Sequence, residues 1–129
     1  MAQLPLNTFK TKTKVLGTDT GTHATVYTAP IGVTSIILMA QISNLDTSTH
    51  TVNFFHYRNR PVLADSQGNG AQPGRTASPL VVNFAIPPAD AGSPLAGKMI
   101  LEQLDSIQAY ADTTSTLQLV LSVLETANA

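Results

Sequence analysis

The sequence predicts an all-β fold, specifically an antiparallel, jelly-roll-like β-sandwich of about eight strands. Strand-length runs rich in Val, Ile, Thr, Phe and Tyr, residues that pack well on a pleated surface, alternate with polar turns. The turn signals recur every 8–12 residues or so, which is typical of sandwiches and barrels. Two long irregular links among these short turns favour a jelly-roll-like sandwich over a simple meander.

The chain of 129 residues fits one domain. Residues 1–8, with Pro5 and little periodicity, are predicted to form an extended N-terminal arm, and residues 9–129 the single β-sandwich domain. There is no cysteine, so the fold must hold together without disulfides. No apolar run approaches the roughly 20 residues that span a bilayer, and we expect a soluble, unprocessed chain.

The first predicted strand, residues 8–16, alternates strictly. Its two faces carry Lys10, Lys12 and Lys14 on one side and Phe9, Thr11, Thr13 and Val15 on the other. We predict that the lysine face is the outer one. Such a row could contact an acidic partner surface or nucleic acid, or could protect an edge strand from unwanted pairing. Interleaved aromatic residues, which a single-strand nucleic-acid binder needs for base stacking, are missing from it.

Residues 33–43 and 50–58 are predicted to form an antiparallel pair at the centre of the domain, joined by a polar turn. A shorter strand, residues 22–28, precedes them and ends before Pro30. A single alternation through residues 33–43 would place four apolar side chains on one face: Ile36, Leu38, Ala40 and Ile42. Both faces are largely apolar, so we expect this strand to be covered on both sides.

The longest irregular segment, residues 62–78, is rich in glycine and contains Asn69 and Arg75. Loops of this length are uncommon and usually functional or mobile, so we predict that it is the main contact loop or a stretch ordered only by a neighbour. A buried strand at residues 79–86 and a second irregular link at residues 87–97 are predicted to follow it.

The last three predicted strands cover residues 98–104, 106–112 and 116–125. The final one alternates and places four apolar residues on one face: Leu117, Leu119, Leu121 and Val123. A helix over residues 95–111 is the alternative, because Leu101, Leu104 and Gln108 fit helical spacing. Asp105 and Ser106 interrupt that pattern.

The three histidines, His23, His50 and His56, do not predict a metal site. His50 and His56 are six residues apart on one strand, so about 20 Å separates them. We interpret all three as surface or rim residues.

The acidic residues fall mostly in turns or at strand ends. Asp46, Asp105 and Asp112 are predicted to form Asx turns, and Glu102 and Asp112 would face each other only by accident of folding. No nucleophile elbow, phosphate-binding glycine loop or zinc motif occurs. The sequence therefore predicts no enzyme, no catalytic or metal site and no cofactor.

Charged residues make up only 12% of the chain, against about 25% in typical soluble domains. The net charge of −1 provides no global attraction to nucleic acid or acidic membranes. A threonine-rich, weakly charged surface is easier to desolvate against a protein partner, which indicates a component of an assembly. A neutral, secreted-type β domain is the alternative.

Three segments resemble a group of small virion structural proteins of cyanophages and other tailed phages. They are TVYTAPIGVTSIILMAQISNLDTSTHTV (residues 25–52), FAIPPADA (84–91) and KMILEQLDSIQAYADTTSTLQLVLSVLET (98–126). The shared pattern supplies framework positions rather than functional residues: Tyr27, Pro30, Asn44, Pro87, Asp105 and Glu125.

The resemblance implies a small β-sandwich protein of the virion, assembled in the host cytoplasm. It suggests a capsid decoration (cement) protein that stabilises the major capsid shell as a homotrimer, with no nucleic-acid or membrane partner. A tail, neck, baseplate or fibre component is the alternative, and a carbohydrate-binding module a remote one, since the chain has no tryptophan. The predicted contacts to the major capsid protein or other virion proteins are Leu4, Pro5, Leu6, Phe9, Lys10, Lys12, Lys14, Asn69 and Arg75.

Overall fold

A computed structural model of the chain describes residues 7–20, 24–59, 76–95 and 97–127. Across these ranges the chain forms nine β-strands and no helix. The strands are β1 (Asn7–Val15), β2 (Thr25–Thr28), β3 (Val33–Asn44), β4 (His50–Arg58), β5 (Thr76–Ile86), β6 (Ala91–Gly92), β7 (Met99–Leu101), β8 (Ser106–Ala111) and β9 (Leu117–Ala127). None of the described residues belongs to a helix that is long and apolar enough to cross a membrane.

The strands form two antiparallel sheets. Sheet A has the order β1-β9-β3-β6, and β7 also pairs with β3. Sheet B has the order β2-β8-β4-β5. The prediction of an all-β, antiparallel fold is therefore confirmed.

Side chains from both sheets contribute to one hydrophobic core. Burying a large apolar side chain of this kind contributes about 1.5–3 kcal/mol to stability. The largest fully buried residues include Ile37, Ile42, Leu119 and Leu121 from sheet A and Val52, Phe54 and Ile107 from sheet B.

The predicted alternation of the last strand is confirmed in β9. Leu117, Leu119, Leu121 and Val123 are at most 1% exposed, and the residues between them are exposed or half-buried. The strand lies between β1 and β3, so its inner face packs into the core while its other face stays at the surface of the sheet.

The single alternation predicted for β3 is wrong. Ser35 and Ile37 are buried, and Ala40 and Ile42 are buried further along. The register shifts between Ile37 and Met39, because a β-bulge inserts one extra residue and changes the phase of the strand. Ile36 therefore lies on the opposite face from Ala40 and Ile42.

The predicted pairing of the two long central strands is also wrong. In sheet A, β3 pairs with β9, β6 and β7, whereas β4 pairs with β5 and β8 in sheet B. The turn between them carries the chain from one sheet to the other, and we call it the crossover turn (residues 45–49). Buried Asn44 anchors it, because its Nδ2 donates to Ser48 O (2.8 Å) and to Ile86 O (2.9 Å).

The helical alternative over residues 95–111 does not occur in its described part, which contains β7 and β8. Between these strands Leu104 has a φ of 69°, in the left-handed region that an α-helix does not use. The Leu104 amide donates to Ala29 O (2.8 Å). This contact fixes the turn against the end of β2.

The strand predicted as buried at residues 79–86 belongs to β5, the edge of sheet B. Ile86 is fully buried, but Leu80 is 38% and Val82 58% exposed. Two register shifts and the positive φ of Asn83 (53°) interrupt its pairing with β4. A continuous apolar run predicted burial, but the edge position exposes it. Of the predicted contact loop, residues 62–75 lie outside the described ranges.

Candidate functional site

The first strand is an edge of sheet A. β1 pairs with β9 without interruption from Asn7 opposite Thr126 to Val15 opposite Gln118. An edge strand with this regular geometry is a place where a protein either guards itself against association or uses it. The orientation of its two faces therefore decides what β1 presents to a partner.

The lysines of β1 lie on the inner side of sheet A, so the predicted outer lysine face is wrong. Their directly opposite neighbours are Val123 for Lys10, Leu121 for Lys12 and Leu119 for Lys14, all three buried. Residues directly opposite in a sheet share a face. Alternation separates two sets of side chains, but it does not tell which set faces inward at an edge.

Two of these lysines make contacts within the fold. Lys14 Nζ donates to Thr25 O of β2 (3.0 Å), which bridges sheet A to sheet B. Lys10 Nζ lies 3.0 Å from Glu125 Oε1. The row therefore helps to close the edge between the sheets.

A polar group that we call the Glu125 cluster (Lys10, Tyr27, Ser35 and Glu125) lies at this end of the core. Tyr27 Oη donates to Glu125 Oε2 and lies 2.7 Å from Ser35 Oγ. Burial alone would raise the pKa of Glu125, but the hydrogen bonds from Tyr27 and Lys10 and the nearby lysine charges lower it overall. Burial and the Glu125 carboxylate raise the pKa of Tyr27. The tyrosine therefore stays a donor to an ionised carboxylate at neutral pH.

A second polar group, the His50 cluster (Asp46, His50 and Asp112), lies at the other end of β3 and β9. His50 Nε2 is 2.7 Å from Asp46 Oδ2, and Nδ1 is 3.0 Å from Asp112 Oδ1. The hydrogen bond to Asp46 is the main cause that raises the pKa of His50, and the same bond lowers the pKa of Asp46. The cluster ties the crossover turn to the link between β8 and β9.

The interpretation of His50 as a surface or rim residue is wrong, because it is only 7% exposed. The Asx-turn prediction for Asp46 and Asp112 also missed their main partner. The turn is instead formed by Asn44, whose Oδ1 accepts from the Asp46 amide (2.9 Å). Nothing local in the sequence indicates that Asp112 meets His50 from the far side of the fold.

A third polar contact fixes the end of β4. His56 Nε2 is 3.3 Å from Asp105 Oδ2, and the Asp105 side chain is 2% exposed. Its Oδ1 accepts from the Asn59 amide (3.3 Å). In all three contacts the polar atoms bond to other groups of the fold. Within the ranges that the structure covers, no three or more His, Cys, Asp or Glu side chains are grouped to hold a metal ion.

A depression of about 510 Å³ lies beside the crossover turn. Its lining contains one ionisable residue, Asp90, whose Oδ1 accepts from the neighbouring Ala91 amide (2.7 Å). A single carboxylate engaged by its own backbone offers no pair of converging acid and base groups. We therefore take a sheet surface, rather than this depression, as the candidate functional site.

That surface is the outer face of sheet A, which carries an apolar row across four strands. Phe9 lies opposite Leu124, Leu124 opposite Ile36, and Ile36 opposite Ile100. The ends of the row are the most exposed, with Phe9 at 74% and Ile100 at 63%. Met39, 40% exposed, lies beside it. Contiguous exposed apolar patches are typical of interaction sites.

The outer face of sheet A carries no ionisable side chain on its strands. The residues around the apolar row are mostly Thr, Ser and Gln, for example Thr11 and Thr13 on β1, Ser122 on β9 and Gln41 on β3. The strands of sheet A therefore present an uncharged outer face.

The structure separates the predicted contact residues. Phe9 lies on the outer face of sheet A, and the three lysines lie on the other side of β1. The other predicted contacts lie outside the described residues: Leu4, Pro5, Leu6, Asn69 and Arg75. Sequence reasoning missed Ile36, Ile100 and Leu124, because only the register and the β3 bulge bring them into line with Phe9.

Comparison with protein-family models, with curated proteins and with solved structures found no match to this chain.

Proposed function

We propose that this chain is a structural protein of a phage virion, most directly a capsid decoration (cement) protein built as a jelly-roll-like β-sandwich. The observation that supports this proposal is the uncharged outer face of sheet A with its apolar row. Such a face is suited to protein docking, and the resemblance of residues 25–52, 84–91 and 98–126 supplies the kind of assembly.

The physical reason is the low cost of burying this face. Moving an unpaired charge out of water is expensive, and the strands of this face present none. Burying the exposed apolar atoms of Phe9 and Ile100 contributes about 25 cal/mol per Å². Modest contacts become strong when a symmetric oligomer repeats them, because linked sites raise the effective concentration.

The polar clusters support a structural role over an enzymatic one. In the Glu125 and His50 clusters, ionisable groups bond to each other and tie strands or turns together. A catalytic site instead places groups with perturbed pKa values in a cleft where a substrate can reach them. Here the perturbed groups hold the fold rigid behind the docking face.

The aromatic residues give little support to the alternative of a carbohydrate-binding module. Phe55 and Tyr110 stack on each other with ring centroids 5.6 Å apart and an interplanar angle of 18°. Both are only half-buried, but one face of each ring is already occupied by the other. A glycan array with a specific hit would support the carbohydrate-binding alternative.

The proposed function is tested by measuring how many copies of the chain a virion contains. We expect mass spectrometry of purified virions from a phage that encodes this chain to find it in hundreds of copies, as a shell protein requires. A handful of copies would favour the tail, neck or baseplate alternative, and its absence from particles would contradict both.

Adding the purified chain back to heads that lack it tests the docking face. We expect Phe9→Lys to lower occupancy on heads about tenfold or more, because it places a charge in the contact. Val82→Lys is the matched control, since Val82 is a similarly exposed apolar residue at the edge of sheet B. Deleting residues 1–7 is expected to weaken binding as well, and unchanged occupancy would remove the arm from the proposal.

A further inference from the structure

We propose that the occupant of the outer face of sheet A is the same face of a second copy of this chain, related by a twofold axis. This inference rests on the proposed docking role of the face and names its partner. The face joins two copies, and loss of that pairing is what would lower occupancy on heads, because single copies bind without the gain from linked sites. The inference concerns the isolated protein and can be tested without a virion.

The first argument is electrostatic. A surface that covers this face must itself be nearly free of charge over the same span, because an unpaired charge buried there would lose its hydration without gaining a partner. About 25–35% of the surface residues of a typical soluble domain are charged, so most protein surfaces do not meet this requirement. The outer face of sheet A satisfies the requirement by identity, and two copies approach without repulsion.

The second argument concerns hydrogen bonding. The polar residues around the apolar row include Thr11, Thr13, Gln41 and Ser122. Hydroxyl and amide groups both donate and accept, so each can bond to its own kind, whereas two lysines or two aspartates cannot. In an isologous contact the same patch meets itself, and these residues are the types that can be satisfied there.

The third argument is shape and area. Two antiparallel sheets pack face to face at about 10 Å with nearly aligned strands. The long strands β1, β9 and β3 at about 4.8 Å, with about nine residues each at about 3.4 Å, give a footprint of roughly 14 by 30 Å, to which the short strands β7 and β6 add about 80 Å². That plan area of roughly 500 Å² per copy, or about 1,000 Å² in total, corresponds to a small interface at the lower limit for a specific contact. The apolar row crosses the sheet, and a twofold axis that runs along the row lets the two rows meet with each residue, Ile100 included, opposite its own copy.

In the described part of the chain, two charged residues lie next to a strand of this face. Lys98 and Glu102 flank β7 in the chain, outside the strand itself. Rim charges affect the rate of association more than its strength. They are compatible with an uncharged centre at Ile36 and Leu124.

The test is sedimentation equilibrium of the purified full chain over a wide concentration range. We expect a reversible dimer of twice the 13.6 kDa chain mass, or another even-numbered oligomer if a separate threefold contact also forms. Ile100→Lys places like charges in both halves of the contact and is expected to raise the dissociation constant about 100-fold. Ile100 is 63% exposed, so the variant should fold, which its melting temperature and circular dichroism check.

A charge-reversal mixture tests the twofold geometry. Ile100→Glu alone should dissociate like Ile100→Lys, and an equimolar mixture of the two should recover affinity to within about tenfold of the unmodified chain, because each contact then brings opposite charges together. Val82→Lys, which changes a 58% exposed apolar residue on sheet B, is the control. It is expected to leave the dissociation constant within about threefold.

Several results would overturn the inference. They are a monomer at every concentration, a trimer, an oligomer insensitive to Ile100→Lys, or a mixture that fails to recover association. A monomer or trimer that is nevertheless found in virions would refute the twofold contact and leave the proposed function standing. A face-to-face dimer that is absent from virions would refute the proposed function and leave the twofold contact standing.

Discussion

The two polar clusters occupy opposite ends of β3 and β9 and differ in how they meet water. In the Glu125 cluster the carboxylate side chain is 9% exposed, and its neighbours Tyr27 and Ser35 are buried. In the His50 cluster the imidazole is 9% exposed, but the Asp46 and Asp112 side chains are 39% and 40% exposed. One end is therefore closed by a buried carboxylate, and the other by a buried imidazole whose two carboxylate partners are 39% and 40% exposed.

This difference sets what each end can respond to. A buried carboxylate depends on its donors, because removing one leaves it poorly solvated with nothing to replace the bond. A histidine held by exposed carboxylates depends on pH and on salt, because water and ions compete for those carboxylates. We therefore expect the stabilising contribution of the Glu125 cluster to be lost mainly when a donor is mutated. The contribution of the His50 cluster should change mainly with pH.

The largest effect is expected from Tyr27→Phe. The change removes the hydroxyl that bonds both Glu125 and Ser35 and should lower the free energy of unfolding by about 2 kcal/mol. Urea denaturation measures it. Thr28→Val in the same strand is the control, since its hydroxyl bonds Ser106 (3.1 Å) in a part-buried neutral pair, and it should cost less than about 1 kcal/mol. Equal losses would contradict the comparison.

A smaller, pH-dependent effect is expected from His50→Gln. The raised pKa of His50 means that its contribution is complete below about pH 6.5, the usual histidine value, and is lost as the pH rises through the folded-state value. The lowered pKa of Asp46 means that its contribution is complete above about pH 4 and is lost as the pH falls through its folded-state value.

The difference in melting temperature between the unmodified chain and His50→Gln should therefore be largest between about pH 4 and 6.5. It should shrink towards alkaline pH. Tyr27→Phe offers the contrast, because its effect should stay flat between pH 6 and 8. A His50→Gln difference independent of pH from 4 to 9 would mean that the ring acts by packing alone.

The smallest effect is expected from Lys10→Met. Lys10 Nζ is 3.0 Å from Glu125 Oε1, but its side chain is 45% exposed, so the pair should contribute about 0.5 kcal/mol. Urea denaturation at low and at about 1 M salt should show the difference at low salt and its loss at high salt. A loss as large as that of Tyr27→Phe would show that the lysine, and not the tyrosine, is the main partner of Glu125.

Local patterns in the sequence predicted much of the secondary structure. The bounds of β4 and the buried alternation of Leu117, Leu119, Leu121 and Val123 follow from residue type and period alone. The bulge beside Leu38 could not be foreseen, because an apolar run gives the same composition with or without an extra residue.

Long-range placement was the part that sequence could not supply. A polar turn such as residues 45–49 is compatible with a hairpin or with a passage between sheets, and only the pairing of β3 with β9 distinguishes them. The candidate site could not be predicted for the same reason, since it depends on long-range strand pairing. Phe9 and Ile100 are far apart in the chain, and they join one apolar row only through β9 and β3.

The position of β9 has a consequence for how the molecule is made. The ribosome produces β1 and β3 well before β9. Although β3 can pair with β6 and β7 earlier, β1 joins sheet A through β9, which lies between β1 and β3. Closing so large a loop costs entropy before any pairing is gained and slows folding. Sheet A should therefore assemble after translation of β9, and a nascent chain that stalls before Leu117 should expose the flanks of β1 and β3 to chaperones.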